Sequence, residues 1–518
     1  MANIISVREA ADLIHDGMTV GISGFGAFAS PDSILEAIGD KFRRENTPRD
    51  LTIVSGVAPG DFVEDGCGLS KIRDEGIIKT LIASHLRMSP AIGRACSENK
   101  IAAFSMPLGV YGQLMAAIGG KRPGILTHVG LHTYADPRQD GCIMNEAARE
   151  QGREIVQLVN IDGRDYLFYK AFPIDACILH ASYADELGNV SLQDEPVHGD
   201  LLELASAVYN NGGIVIVEVK EIVGANTLDP RHVLIHKSMV DYIVRAGKGD
   251  NAALAYEPAM IGDIRVPTEG SVKPLKLSYK KVITRRAAME LRKGDLVNLG
   301  IGIPAGVANV ANEEGLSQQV TLSLETGVYG GVPLDGPLFG ASVNPDSISR
   351  SADMFTAYDG GALNMTVLGG AEIDPSGNVN VSKFSGRCVG PGGFVNISQN
   401  TPKVCFAFSF TSGKCDIRVE DGKLNIVQDG GGVKFIRDLD QITFSSTFAR
   451  ETGQMVLFIT ERAVFEIRDG RLTLTEIAPG VDLQKHILDR MDYVPEIAED
   501  LRLMDERLFR PEKMGLRF

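Results

Sequence analysis

The residues best able to do chemistry lie between Leu296 and Pro333. An apolar run, Leu296-Val297-Asn298-Leu299, enters Gly300-Ile301-Gly302-Ile303-Pro304-Ala305, a helical stretch follows through Val307–Asn312, and a second apolar run, Val320–Leu324, ends at the acidic Glu325. A strand, G-x-G-x-x-A and a carboxylate about 20 residues on make a dinucleotide fingerprint, in which bare glycine backbone faces a pyrophosphate and the acid holds a ribose hydroxyl. On that reading Gly300 and Gly302 belong to an NAD-dependent dehydrogenase. Thr326-Gly327-Val328-Tyr329-Gly330-Gly331-Val332-Pro333 points elsewhere, because it sets Glu325 at the end of a strand between two glycine-rich loops. Such bareness suits a carboxylate that itself reacts, since Cβ atoms would block the incoming group. From the residues alone, Glu325 is a turn cap, a ribose binder or a nucleophile.

A third glycine-rich stretch, Ser385-Gly386-Arg387-Cys388-Val389-Gly390-Pro391-Gly392-Gly393-Phe394, lies in the same half. Three bare loops around one acid favour an acyl-transfer centre over a nucleotide cradle. Other candidates are weaker. His128 and His132 stand four apart without the H-E-x-x-H pattern, and no metal site is expected. Neither a G-x-S-x-G elbow nor a G-x-x-x-x-G-K-[ST] loop occurs. The basic run Lys280-Lys281 and Arg285-Arg286 could meet phosphates, but reads better as a solvated helix face. Seven scattered cysteines, Cys67, Cys96, Cys142, Cys177, Cys388, Cys405 and Cys415, form no C-x-x-C pair and read as reduced, mostly buried thiols.

The elements that must position these residues recur. Ser6 and Glu9 stand at capping-box spacing before a helical stretch, Gly17 stops it, and Met18–Ile22 runs into Ser23-Gly24-Phe25-Gly26. Downstream, Val282–Thr284 leads into a helical Arg285–Leu291, then Gly294, then Asp295–Leu299 and the Gly300 loop. Ala184-Asp185-Glu186-Leu187-Gly188-Asn189-Val190 likewise resembles Ala371-Glu372-Ile373-Asp374-Pro375-Ser376-Gly377-Asn378-Val379. Continuous apolar strands such as Ile214–Val219 alternate with helical stretches, which suits parallel sheets covered on both faces. The expectation is two related open α/β domains with mostly parallel sheets, residues 1–270 and 278–518, joined across the polar Arg265–Pro274 stretch.

Over 518 residues, 67 acidic against 52 basic side chains leave a net charge of −15, which argues against nucleic acid and anionic membrane as partners. No signal peptide and no apolar run of about 18 residues is evident, so a cytoplasmic protein is expected.

Taken together, the motifs resemble the family I CoA-transferases, in particular the single-chain acetate/propionate type. The likeness runs through Ser23–Gly26, Pro123–Gly130, Asp136-Pro137-Arg138, Tyr166–Pro173, Thr227–Arg231, Leu299–Gly302, Glu325–Pro333, Ile397–Lys403 and Glu476–Asp482. It implies two α/β domains fused in one chain with the active site between them. It also implies transfer of CoA between a short-chain acyl-CoA and a free carboxylate, through a thioester on Glu325. The amides of Gly300, Gly302, Gly392 and Gly393 would meet oxyanions or CoA. No metal or redox cofactor is implied, CoA being part of the substrates, and relatives are usually dimers or tetramers. One position departs from the family pattern. Leu108 stands where a Gln before Gly109 is expected, so Leu108, Gly109 and Gln113 become candidates for the acyl pocket or a substitute oxyanion donor.

Overall fold

Backbone capping and glycine stops set up both halves of the chain. Ser6 Oγ accepts from the Glu9 amide at 3.2 Å while Glu9 Oε2 accepts from the Ser6 amide at 2.8 Å, closing a capping box on the helix Val7–Asp12. In the second half, Ser278 Oγ accepts from the Lys281 amide at 3.3 Å and starts a helix at Tyr279–Ala288. That helix begins earlier than the expected Arg285, because the Ser278 cap takes Val282–Thr284 into its buried face. Gly17 and Gly294 each adopt positive φ after these helices.

The computed structural model describes residues 2–247, 256–268 and 274–518. Each half centres on a ten-stranded sheet. In the first, eight strands run parallel in the order Asn3–Ile5, Tyr242–Arg245, Ile214–Val223, Ala176–Asp185, Thr19–Ile22, Leu51–Val54, Ile78–Ile82 and Ala102–Phe104. The second has a parallel centre, Thr321–Leu324, Leu296–Leu299, Met365–Leu368, Lys403–Ala407 and Met455–Ile459, with antiparallel neighbours at both ends. Their apolar runs are buried, and helix pairs such as Leu108–Gly119 with Leu201–Tyr209 cover them.

The repeated turn signal is a repeated structure. Asp185 Oδ1 accepts from the amides of Leu187, Gly188 and Asn189, and Asp374 Oδ1 from those of Ser376 and Asn378. Asn189 and Asn378 each return a side-chain bond to that aspartate, at 2.9 and 2.7 Å.

One apolar core bridges the halves, uniting Phe25, Phe28, Val57, Met88 and Leu108 with Phe339, Phe355, Tyr358, Phe394 and Ile397. An apolar interface of this kind holds two lobes in one orientation. Of the expected join, 269–273 lies outside the described residues. Arg265 and Val266 bond to the second half at Pro345 O and Asn344 Oδ1. Among the described residues, no helix is long and apolar enough to cross a membrane.

Candidate active site

Glu325 follows the strand Thr321–Leu324 at its carboxyl end, where open parallel sheets bind ligands. Its loop is held by backbone anchors. Ser351 Oγ donates to Glu325 O at 3.0 Å, and Thr326 Oγ1 to Gly340 O at 2.6 Å. Gly327 has φ +108°, and a Cβ there would stand 2.0 Å from Ser349 O, so the glycine of the Glu-Thr-Gly motif is sterically required.

The carboxylate lines a cleft of about 710 Å³ between the halves. The first half contributes Phe25, Val57, His85, Met88 and Leu108, and the second contributes Asn298, Gly300, Leu368, Arg387, Gly392 and Lys434, among others. Desolvation raises the Glu325 carboxyl above its ordinary value, while its own backbone amide and the Asn298 side chain pull it back. Asn298 is buried in the neighbouring strand, its Nδ2 donating to Ser323 O at 3.2 Å. Tyr358 donates to Ser323 Oγ at 2.8 Å behind it. The nucleophile candidate is thus a half-buried acid at the cleft wall, its carboxylate held by amides from its own backbone and Asn298.

Two bases share the cleft. Burial, with Arg87 second, pulls His85 down to about 4, leaving it neutral near pH 7. Burial lowers the Lys434 amine to about 8; Nζ donates to Gly370 O at 3.3 Å and lies 5.3 Å from the Phe408 ring centroid.

Gly300, Gly392, Gly393 and Leu108 line the cleft together with Glu325, whereas Gly302 is exposed and outside its lining. The Gly300 amide donates to Val367 O at 2.8 Å and the Gly392 amide to Ser84 O at 3.0 Å. Neither is a spare oxyanion donor; what these glycines supply is room beside the backbone. Gly109 packs tightly on Phe355 and its amide donates to Asn396 Oδ1 at 3.1 Å. Gln113 Nε2 donates to Asp359 Oδ2 at 2.8 Å. Both therefore clamp the halves outside the cleft, and Gln113 does not reach toward Glu325.

The basic run is neither solvated nor in the cleft, apart from exposed Lys280. Lys281 and Arg285 are buried against Glu313, and Arg286 against Glu476 and Glu290. Cys388 is buried, its Sγ donating to Met144 O at 3.2 Å, and burial raises its thiol pKa. Cys67 and Cys415 are half-buried and the other cysteines buried. His128 pairs with Asn400 at 2.6 Å, and His132 faces Glu451. Asn298, His85, Arg387 and Lys434 were not anticipated as site residues. Only Asn298 left a trace in the sequence, as an amide inside an apolar strand.

The coenzyme A transferase family profile matches residues 4–246. Caffeate CoA-transferase of Acetobacterium woodii is 43% identical over 525 residues, covering 100% of this chain and 99% of the relative. Acetate CoA-transferase YdiF of Escherichia coli (strain K12) is 40% identical, covering 99% and 96%. The crystal structure of the acyl-CoA transferase YdiF apoenzyme from E. coli O157:H7 superposes with a TM-score of 0.93 at 39% identity, covering 100% and 98%. A thioester complex of that enzyme with CoA gives 0.92 at 38% identity, with the same coverage. The dehydrogenase reading of Gly300 and Gly302 finds no support in these likenesses or in the exposed Gly302. With whole-length kinship to these enzymes and an acid poised in the cleft between its two α/β halves, this chain belongs to the coenzyme A transferase family and is a CoA-transferase.

Proposed function

We propose that the chain moves CoA between a short-chain acyl-CoA and a free carboxylate of the acetate or propionate type by a ping-pong mechanism, with residues 1–270 and 278–518 as its two domains and Glu325 as the nucleophile. The observation that carries this reading is the desolvated, Asn298-supported carboxylate in a cleft of about 710 Å³.

The ionised Glu325 carboxylate attacks the thioester carbonyl, and the C–S bond breaks to give a glutamyl-acyl anhydride and CoA thiolate. The thiolate attacks the glutamyl carbonyl and expels the original acyl group as a carboxylate, leaving a thioester on Glu325. A second carboxylate runs both steps backwards. Protons balance without a general base, because every attacking group is already an anion. The Asn298 amide orients the carboxylate, and the bare Cα atoms of Gly300 and Gly392 leave a path for the pantetheine arm. Arg387 and Lys434 are cations suited to the CoA phosphates. Every bond change uses Glu325, CoA and carboxylate, so the reading needs no metal or redox group. Leu108, apolar and facing the cleft, favours aliphatic acyl groups over dicarboxylates.

Incubation with propionyl-CoA and no acceptor should leave CoA bound to the peptide holding Glu325, released by hydroxylamine. A fully active Glu325→Ala variant would falsify the mechanism. A purified-protein comparison of acetate, propionate and caffeate as acceptors decides the substrate.

A further inference from the structure

Each addition in the proposed reaction puts negative charge on a carbonyl oxygen, and a donor aimed at that oxygen is ordinarily the largest single help a site gives. The cleft is short of such donors. The amides of Gly300 and Gly392 are engaged by Val367 O and Ser84 O, Asn298 Nδ2 is held on Ser323 O beside the acid, and Gln113 is bonded to Asp359 outside the cleft. Leu108 offers nothing where the family pattern has Gln. Its place is nonetheless the right one: with Thr326, the residue after Glu325, Leu108 lines a small chamber of about 30 Å³ beside the cleft, so the first-half wall stands against the nucleophile's loop.

His85 is the exception on that wall. Of the five first-half residues that line the cleft, Phe25, Val57, Met88 and Leu108 are apolar, and His85 alone carries a polar side-chain hydrogen. It stands three residues beyond the strand Ile78–Ile82, at the carboxyl edge of the first sheet, as Glu325 stands at the carboxyl edge of the second. A Cβ on Gly392 would meet the His85 Cβ at 4.0 Å, and Gly392 O accepts from the Leu108 amide at 3.1 Å, so His85 and Leu108 flank one residue of the cleft wall. The ring is set up to donate. Nδ1 accepts from the Arg87 amide at 3.4 Å, which leaves the proton of a neutral imidazole on Nε2. The ring is half-buried, and Nε2 bonds to none of the described residues. Burial keeps the imidazole neutral near pH 7. A cation there would pair with the Glu325 carboxylate or protonate the CoA thiolate, whereas a neutral N–H does neither and still polarises a carbonyl.

We propose that His85 is a catalytic residue of the transfer, its Nε2–H donating to the oxyanion that forms on the acyl carbonyl when Glu325 attacks the thioester. The proposal rests on Glu325 as nucleophile, since that fixes where the acyl carbonyl sits. In this step a carboxylate oxygen bonds to the carbonyl carbon and the carbonyl electron pair moves onto its oxygen. Return of that pair breaks the C–S bond and releases CoA thiolate. The Nε2 proton stays on the ring throughout, so the histidine is neither acid nor base and the ionic balance of the reaction is unchanged.

The test is kcat for CoA transfer from propionyl-CoA to acetate. His85→Phe keeps the shape of the ring and removes the donor, and kcat should fall by about 10²–10³-fold. Glutamine returns an amide N–H to the same wall. His85→Gln, or Leu108→Gln added to His85→Phe, should therefore recover about tenfold or more of the loss, a repair that a purely structural histidine would not show. If His85→Phe does not fold, His85→Ala is read in its place, alone and with Leu108→Gln. A kcat within about threefold of the wild type, or a loss repaired by neither glutamine, overturns the proposal. Mass spectrometry of the Glu325 peptide after incubation with propionyl-CoA accompanies each assay. Adduct formation with an unmoved kcat rejects the His85 role alone, and a wild type without adduct rejects the nucleophile.

Discussion

Strand pairing aligns the two halves residue by residue. In the first, Gly21 pairs with Val54 and with Cys177; in the second, Asn298 pairs with Ser323 and with Thr366. The same register that matches Cys177 to Thr366 matches Asp185 to Asp374, the two repeated turns. Carried two residues past Val54 and Ser323, it sets Gly56 opposite Glu325. Thus the first half has glycine at both places where the second half has the acid and its amide support. Gly21 lies so close to Leu204 that a Cβ would stand 2.6 Å from its Cδ1, and Gly56 lines the small chamber. One sheet carries the candidate nucleophile and its amide at these positions, and its counterpart carries bare backbone, filled at Gly21 by Leu204 and open to the small chamber at Gly56. Two positions in a shared register thus distinguish the two sides of an asymmetric site.

The largest way to break this comparison is Glu325→Gln. CoA transfer should fall on the order of 10⁴-fold or more, as when a nucleophile is removed elsewhere. Stability should move the other way. The folded-state pKa of Glu325 is raised, so its ionised form destabilises the fold above that value, and the penalty disappears below the unfolded-state pKa. Thermal unfolding should therefore show a higher Tm for Glu325→Gln at pH 7, and the difference should vanish in acid below the ordinary carboxylate range.

Asn298→Gly copies the first half's residue into the second. Loss of an orienting amide should lower kcat by about 10²-fold. Because Asn298 depresses the Glu325 pKa, the acid limb of the pH–rate profile should shift upward. An unshifted limb would mean that the amide has no electrostatic part in the site.

Lys434→Met sharpens the assignment of the CoA side of the cleft. KM for acyl-CoA should rise by about tenfold with KM for the carboxylate unchanged, one charge-assisted contact being worth roughly that much. In the wild type, the amine at about 8 should make acyl-CoA binding weaken as pH rises past that value, a dependence the variant lacks.

The smallest effect concerns Leu108→Gln, which restores the residue type expected from the family pattern. A change of a fewfold in the acyl-chain profile, measured across acetyl-, propionyl- and butyryl-CoA, is expected. An unaltered profile would place Leu108 outside acyl recognition.

The sequence disclosed what is local. Glu325 and its glycines stand within one strand-loop unit, and the Asp185 and Asp374 turns are self-contained, so both were legible. What long-range packing decides was not. Nothing in Lys281, Arg285 and Arg286 distinguishes a solvated basic face from three cations paired to Glu313, Glu476 and Glu290, because their partners lie up to 190 residues away. Nothing local shows that the amides of Gly300 and Gly392 are already engaged, since their acceptors, Val367 and Ser84, sit on other elements. His85 and Lys434 carry no signature at all, their meaning arising only when two halves meet.

Three main-chain bonds sew the loop at Gly392 to the opposite half: Gly392 N–H to Ser84 O, Leu86 N–H to Val389 O at 2.8 Å, and Leu108 N–H to Gly392 O at 3.1 Å. Peptide groups are common to all residues, yet this seam still requires glycine at 390, where φ is +73° and a Cβ would stand 2.5 Å from Ser84 O. Leu108 is fastened twice, by its amide to Gly392 O and by its side chain in the apolar core that bridges the halves. A substitution at Leu108 therefore leaves the amide seam in place while it disturbs the packing of one half on the other.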